Sequence, residues 1–377
     1  MGRNQETHAE GGVRMTEQAQ HDWFSPVGDS VLAAMRRRGV KADSLSQALQ
    51  GGRDELRAIL AGQTDIGDRT ATILARILGG TAAFWTTRQK NFEEALGRSI
   101  DALNEKESEV WLGTIPIPTR RRLTKSNRKE ELQRRLRYYG VSSLSGWQRR
   151  YVLDRTATRF RSSNSFTSDE GSLSLWLRSG ELEAAMVDTK SWDAKRLSEL
   201  LPEIRALSRF SNPSVFVPKL QSLLAKAGVA FVFVRAPNGC RASGASRMVA
   251  ADKAMLLVSF RHRSDDQFWF TVFHEIGHLV LHGAEPFVDL DGGDADDRFE
   301  REANAFAEEL VVPKKMQPEL TGLPNRKKEI VSFARRVGVS PGLILGQMQF
   351  KGLAPFSRSS RLQRTWTWND IEAAFES

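Results

Sequence analysis

Phe268-Trp269-Phe270-Thr271-Val272-Phe273-His274-Glu275-Ile276-Gly277-His278-Leu279-Val280-Leu281-His282-Gly283 is the stretch on which the reading of this chain turns. It is long and apolar, with a start signal before it and a stop after it. Ser264 and Gln267 stand at capping-box spacing, Asp265 and Asp266 suit the positive end of a helix dipole, and Gly283 sits where a helix ends. The pattern predicts one long, buried helix.

Within that helix His274, Glu275 and His278 spell His-Glu-x-x-His. Residues four apart lie one turn above another on one face, so the two imidazoles can grip a single metal ion. A zinc ion held by two neutral imidazoles and one further ligand keeps a fourth position for water, whose pKa it lowers from about 15.7 toward about 7. Glu275 is then placed to take the proton. The chain has six histidines, and four of them (His262, His274, His278 and His282) fall around this helix, which makes chance a poor explanation of the spacing. His282 extends the ladder by one more turn. A residue supporting the helix terminus or a ligand is the favoured reading for it, with a three-histidine ligand set as the alternative.

A third ligand has to come from elsewhere, and the next segment offers carboxylates. After an Asp-rich loop (Asp289, Asp291, Asp294, Asp296, Asp297), residues 300–313 read Glu-Arg-Glu-Ala-Asn-Ala-Phe-Ala-Glu-Glu-Leu-Val-Val-Pro. Ala303, Phe306, Ala307 and Leu310 make an apolar helical stripe that Pro313 ends. Glu300 opens this helix and Glu302 follows closely, and spacing alone does not separate them as ligands. Asn304, one turn on from Glu300, is placed to orient a ligand histidine.

These two helices resemble the ImmA/IrrE-like metallopeptidases, a gluzincin-like family whose pattern is His-Glu-x-x-His followed by Glu-x-x-Ala-Asn/Asp-x-Phe-Ala, ending near Leu-Met-Pro. Here the second part stands as Glu300-Arg301-Glu302-Ala303-Asn304-Ala305-Phe306-Ala307 and Val311-Val312-Pro313. The resemblance implies one Zn2+ per chain held by His274, His278 and Glu300, with Glu275 as general base; by spacing, Glu302 stays the competitor for ligand. It also implies that the strand Met255, Leu256, Leu257, Val258, Ser259, Phe260 is a sheet edge against which an extended substrate lies. The substrate so implied is a transcriptional repressor or antitoxin-like regulator, cut in a stress, DNA-damage or mobile-element (phage) response.

Upstream, residues 23–97 read as five short helices with a stop at Gly62 and Phe84-Trp85 after Gly79-Gly80. Their order resembles a HigA/XRE-like helix-turn-helix domain, which would lay its third helix, carrying Arg53 and Arg57, in the major groove of a duplex operator. Asp54 and Glu55 on the same helix would face phosphates badly, so a module that docks a protein or its own chain is the competing reading. Residues 98–185 form a basic helical connecting region, in which nine Lys/Arg against two Glu lie between Thr119 and Arg137. Arg120, Arg121, Arg122, Lys125, Arg134 and Arg135, followed by Tyr138, Tyr139, Trp147 and Tyr151, have the composition of a single-stranded DNA surface. A solvated helical linker with a few core aromatics is the commoner explanation.

Residues 186–320 are the expected metallopeptidase domain: two helices, a strand at Val229–Val234, a small-residue strand or loop at Ala242–Ser246, the strand at Met255–Phe260, then the two motif helices. In the C-terminal helical extension, residues 321–377, a second helix-turn-helix cadence has a nearly all-apolar second helix. Packing onto the domain before it is expected there rather than DNA contact, with Trp366 and Trp368 anchoring the end.

The fold class expected is therefore mainly α with a small β-sheet (α+β), the short sheet packed on the His-Glu-x-x-His helix. One cysteine, Cys240, excludes an internal disulfide and fits a cytoplasmic setting. No apolar run reaches membrane-spanning length, and residues 1–22 read as a polar, disordered leader without a signal-peptide core. A net charge of +9 admits DNA as a partner beside the protein substrate. The expected function is a zinc metalloendopeptidase. The alternative, from another class, is a DNA-binding regulator or antitoxin whose peptidase-like domain senses and cleaves nothing, and the intact Glu275 argues against it.

Overall fold

The computed structural model describes residues 25–119, 121–151, 168–283, 287–290, 298–356 and 361–376. The leader expected at residues 1–22, Arg120, and most of the Asp-rich loop lie outside them. Among the described residues nine helices come first: α1 (Val27–Arg38), α2 (Ala42–Ala48), α3 (Gly52–Leu60), α4 (Asp68–Leu78), α5 (Ala82–Asp101), α6 (Glu105–Thr114), α7 (Arg128–Tyr139), α8 (Leu144–Tyr151) and α9 (Ser168–Ala185). Then α10 (Ala194–Leu207) and α11 (Pro213–Lys226) lead into the strands β1 (Val229–Phe233), β2 (Ala242–Ala250) and β3 (Lys253–Val258). The motif helix α12 (Asp265–Leu281) is followed by β4 (Phe287–Leu290), α13 (Arg298–Val311), α14 (Gln317–Thr321), α15 (Lys327–Val337), α16 (Pro341–Phe350) and α17 (Trp368–Glu376). The chain is thus α+β, mostly helical with one small mixed sheet.

The sheet order is β1-β3-β2-β4, with β1 parallel to β3 and β2 antiparallel to both β3 and β4. Side chains alternate along a strand, so each strand divides its residues between two faces. Ala230, Val232, Met255 and Leu257 join the apolar core built by α1 to α9. Val229, Phe231, Ala254, Leu256 and Val258 join the core of α10 to α13 and α15 to α17. Both faces are buried, and the core of the N-terminal helices passes without a break onto the sheet. Helix α9 makes that junction, its buried Trp176 donating from Nε1 to the Val234 carbonyl at 2.8 Å.

A buried ion cluster spans the same junction. Glu181 of α9 accepts from the Tyr151 hydroxyl at 2.9 Å, from Arg178 at 3.1 Å and from Arg150 at 3.2 Å, and pairs with Arg247 of β2 at 3.3 Å. Arg178 also donates to the carbonyls of Tyr138 (2.7 Å) and Leu60 (3.4 Å), tying the ends of α7 and α3 to α9. Burial acts to raise the Glu181 carboxyl, but Arg150, Arg247 and Arg178 outweigh it and bring its pKa down to about 2.

The start of α12 differs from the expected capping box, because the Ser264 side chain caps nothing. The distant C-terminal segment holds this end instead. Ser264 pairs with Thr365 in an isolated antiparallel bridge, Asp265 N–H donates to the Arg364 carbonyl, and Arg364 N–H returns a bond to Asp265 Oδ1, both at 2.9 Å. Trp366 closes the joint among Phe216, Phe260 and Phe268, with ring centroids 5.4 to 6.0 Å from its own.

Three outcomes are expected. Glu181→Ala strands three buried or half-buried arginines and should cost about 3–5 kcal/mol in urea unfolding. Glu181 has a folded pKa below its usual 4.5, so its stabilisation is complete above about pH 4.5 and lost as pH falls toward 2. Asp265 carries the opposite sign, since burial raises it from 3.8 to about 6. Its contribution is complete below pH 3.8 and lost as pH rises through about 6, and Asp265→Asn should flatten that limb of the stability profile.

Candidate metal centre

Helix α12 lies on β2 and β3 with Val272, Phe273 and Ile276 buried beneath it, and it turns Phe270, His274, His278 and His282 along one side at four-residue spacing. His274 and His278 are 2% and 0% exposed, so walls of the fold restrict water at both rings. Their Nε2 atoms stand 2.9 Å apart. Helix α13 crosses α12 closely because residue 277 has no side chain. A Cβ there would lie 3.1 Å from Phe306 Cδ1 and 3.3 Å from Ala303 Cα. That approach brings Glu300, in the first turn of α13, to 3.3 Å from His274 Nε2 and 3.5 Å from His278 Nε2.

All three donor atoms lie within 4.8 Å of one another. Two atoms each about 2.0–2.1 Å from a tetrahedral zinc stand about 3.3 Å apart, so the spacing of this set suits that ion. Protonation states suit it as well. Burial foremost lowers the His278 pKa to about 4, which leaves a neutral imidazole. Burial acts to raise Glu300, yet its contacts with His274 and His278 hold it far below the usual carboxylate range, so it is ionised. Neutral imidazole and carboxylate are the forms that bind a cation.

The outer nitrogens are also engaged. His274 Nδ1 lies 3.0 Å from Asn304 Oδ1, which fixes the ring with Nε2 toward Glu300. His278 Nδ1 lies 3.2 Å from His282 Nδ1, and His282 Nε2 is 2.9 Å from Glu302. Glu302 in turn accepts from Arg298 at 2.7 Å, and that pairing, with His282 second, lowers its pKa. The structure thus sets Glu300 against the two motif rings and Glu302 against His282.

Glu275 is fully buried and faces β2 rather than solvent. The Ser246 hydroxyl donates to its Oε2 at 2.6 Å. A Cβ on Gly244, two residues earlier, would lie 2.6 Å from Oε1 and the same distance from Thr271 Cγ2. Sequence reasoning saw only a small-residue strand or loop there. The available signal was the run of small side chains, which lets a helix lie close to a strand.

Other expected site residues fall elsewhere. Met255, Leu256, Leu257 and Val258 are not a sheet edge. Strand β3 is central, hydrogen-bonded to β1 on one side and β2 on the other, so it has no open backbone for a peptide. Ser259 and Phe260 lie past its end, Ser259 bonded to the Ser243 and Ala242 carbonyls and Phe260 packed on Phe268. Among the described residues the outermost strand on the β2 side is β4.

The candidate nucleic-acid contacts are largely occupied within the chain. Arg53 pairs with Asp43, and Arg57 with Glu183 of α9 and with Asp54, both at 2.9 Å, so α3 docks on its own chain through these side chains. Arg135 is buried, bonded to Glu131 and to the Leu112 and Ile115 carbonyls, and Arg134 bonds Glu131 and the Thr119 carbonyl. These two are scaffold rather than surface cations. Tyr138, Tyr139, Trp147 and Tyr151 are buried too, which overturns the stacking-surface reading, since bases need exposed rings. Arg121, Arg122 and Lys125 are exposed, Arg121 pairing with Glu130 at 3.1 Å.

A buried His-Glu-x-x-His helix on a small mixed sheet, with a carboxylate brought in from the next helix, has the donor set of a metal-dependent hydrolase. Residues 241–346, from β2 into α16, match the model of the Peptidase_M78 family, the IrrE N-terminal-like domain. That match supports a peptidase of the ImmA/IrrE kind in this segment. No curated protein and no solved structure matched the chain. No described helix is long and apolar enough to cross a membrane.

If Gly277 sets the spacing of α12 and α13, Gly277→Leu should cost about 1–3 kcal/mol in urea unfolding through overpacking. An unchanged midpoint would show that the crossing tolerates a side chain.

Proposed function

We propose that this protein is a zinc-dependent endopeptidase acting in the cytoplasm on a transcriptional repressor or antitoxin-like regulator, in a stress, DNA-damage or mobile-element response. The observation that carries the reading is the buried convergence of His274, His278 and Glu300 within 4.8 Å, inside the segment that matches a peptidase family. The regulator as substrate rests on the family resemblance. The non-proteolytic, DNA-binding alternative comes second, because Arg53 and Arg57 are paired within the chain and a glutamate, Glu275, directly follows His274 in the sequence.

Zinc bound there would supply a Lewis acid for water and the scissile carbonyl. Glu275 takes the proton from water and returns it to the departing amine, as a general base and then a general acid. Asn304 and His282 hold the rings of His274 and His278 against rotation, and the burial of both rings keeps bulk water out.

Elemental analysis of the purified chain should find about one zinc per molecule, retained in Glu275→Gln and lost in His274→Ala. Asn304→Ala should weaken zinc affinity about 10–100-fold in chelator competition. Co-expression with candidate repressors from the same genome should yield cleavage of one of them by the unaltered chain and none by Glu275→Gln. Absence of bound zinc after reconstitution would sink the reading.

A further inference from the structure

We infer that Ser246 is a positioning residue for the Glu275 carboxylate, with Gly244 as the clearance that lets the carboxylate lie against β2. The inference rests on the endopeptidase reading of the site and adds to it what holds the base in place. A glutamate has several side-chain torsions and, without partners, samples several rotamers. Here one oxygen is bonded to the Ser246 hydroxyl at 2.6 Å, and both groups are 0% exposed. The other oxygen lies where a Cβ on residue 244 would be, at 2.6 Å, with Glu275 Cγ at 2.8 Å from the same point.

Gly244 and Ser246 are two apart on one strand and so present the same face to α12. Strand β2 is itself paired on both sides, Ser246 opposite Leu256 of β3 and Phe287 of β4. The hydroxyl is therefore mounted on backbone that two neighbouring strands hold. Fixing a proton acceptor in this way matters because a misplacement of about 1 Å can cost about 100-fold in rate.

The test uses the full chain loaded with zinc and titrated by calorimetry with two small ligands, acetohydroxamate and azide. A hydroxamic acid has an O–H to share with a neighbouring carboxylate, and azide has none. Ser246→Ala should weaken acetohydroxamate about tenfold, the scale of one hydrogen bond to a charged group, while azide affinity and zinc content stay unchanged. Ser246→Thr, which keeps the hydroxyl, should restore the affinity. Equal weakening of both ligands would mean a merely structural role, and no change in either would mean no role; both overturn the proposal. Glu275→Ala, which removes both oxygens, separates the two readings. If it leaves acetohydroxamate binding intact, the endopeptidase reading itself fails. If it weakens binding and Ser246→Ala does not, only the positioning role fails.

Discussion

Two imidazoles and a carboxylate gathered within 4.8 Å, with both rings almost wholly buried, are the constraint on which the rest of this structure depends. Desolvation pushes His278 to its neutral form, and contact with the two rings keeps Glu300 ionised against the same desolvation. Such a set persists only if the helices that carry it cannot drift apart. Gly277 lets α13 settle on α12, and the strands below and α16 beside them leave α12 no room to shift. The C-terminal segment belongs to this scaffold rather than trailing from it, because Arg364, Thr365 and Trp366 hold the first turn of α12.

The N-terminal half places its positive charge in a way that composition hides. A net charge of +9 and runs of arginine suggest an external polyanion. Many of these guanidinium groups instead bind carboxylates and carbonyls inside the chain, with Arg57 on Glu183, Arg135 on Glu131, and Arg150, Arg178 and Arg247 on Glu181. Arginine suits this task because its planar fork satisfies several acceptors at once. The interleaved aromatics, Tyr139, Trp147 and Tyr151, are the apolar filling around which these bonds form.

What the sequence made legible is local. The periodicity of α12, α13, α15 and α16, the spacing of His274 and His278, the nearness of Asn304 and the glycine stops can all be read within one or two helical turns. What it concealed is set by distant partners. Strand order is not written in any strand, so the apolar run of β3 looked like an edge when two neighbours enclose it. The first turn of α12 is held from about a hundred positions away, by Arg364, which no capping pattern encodes. Ser246 and Glu275 are 29 residues apart and share no motif. Whether a Tyr beside an Arg stacks on a base or fills a core depends on burial, which composition does not carry.

Strand β2 joins the two halves in a manner that bears on the chemistry. Successive side chains on a strand point to opposite faces. Ser246 therefore reaches Glu275 on the α12 side, while Arg247, the next residue, reaches Glu181 on the α9 side. Any displacement of this strand along its own axis moves both contacts together. Glu181 is in turn bound to Arg150 and Arg178, and through Arg178 to the carbonyls ending α3 and α7. The N-terminal helices and the Glu275 carboxylate are thus tied to one strand, through adjacent residues on its opposite faces.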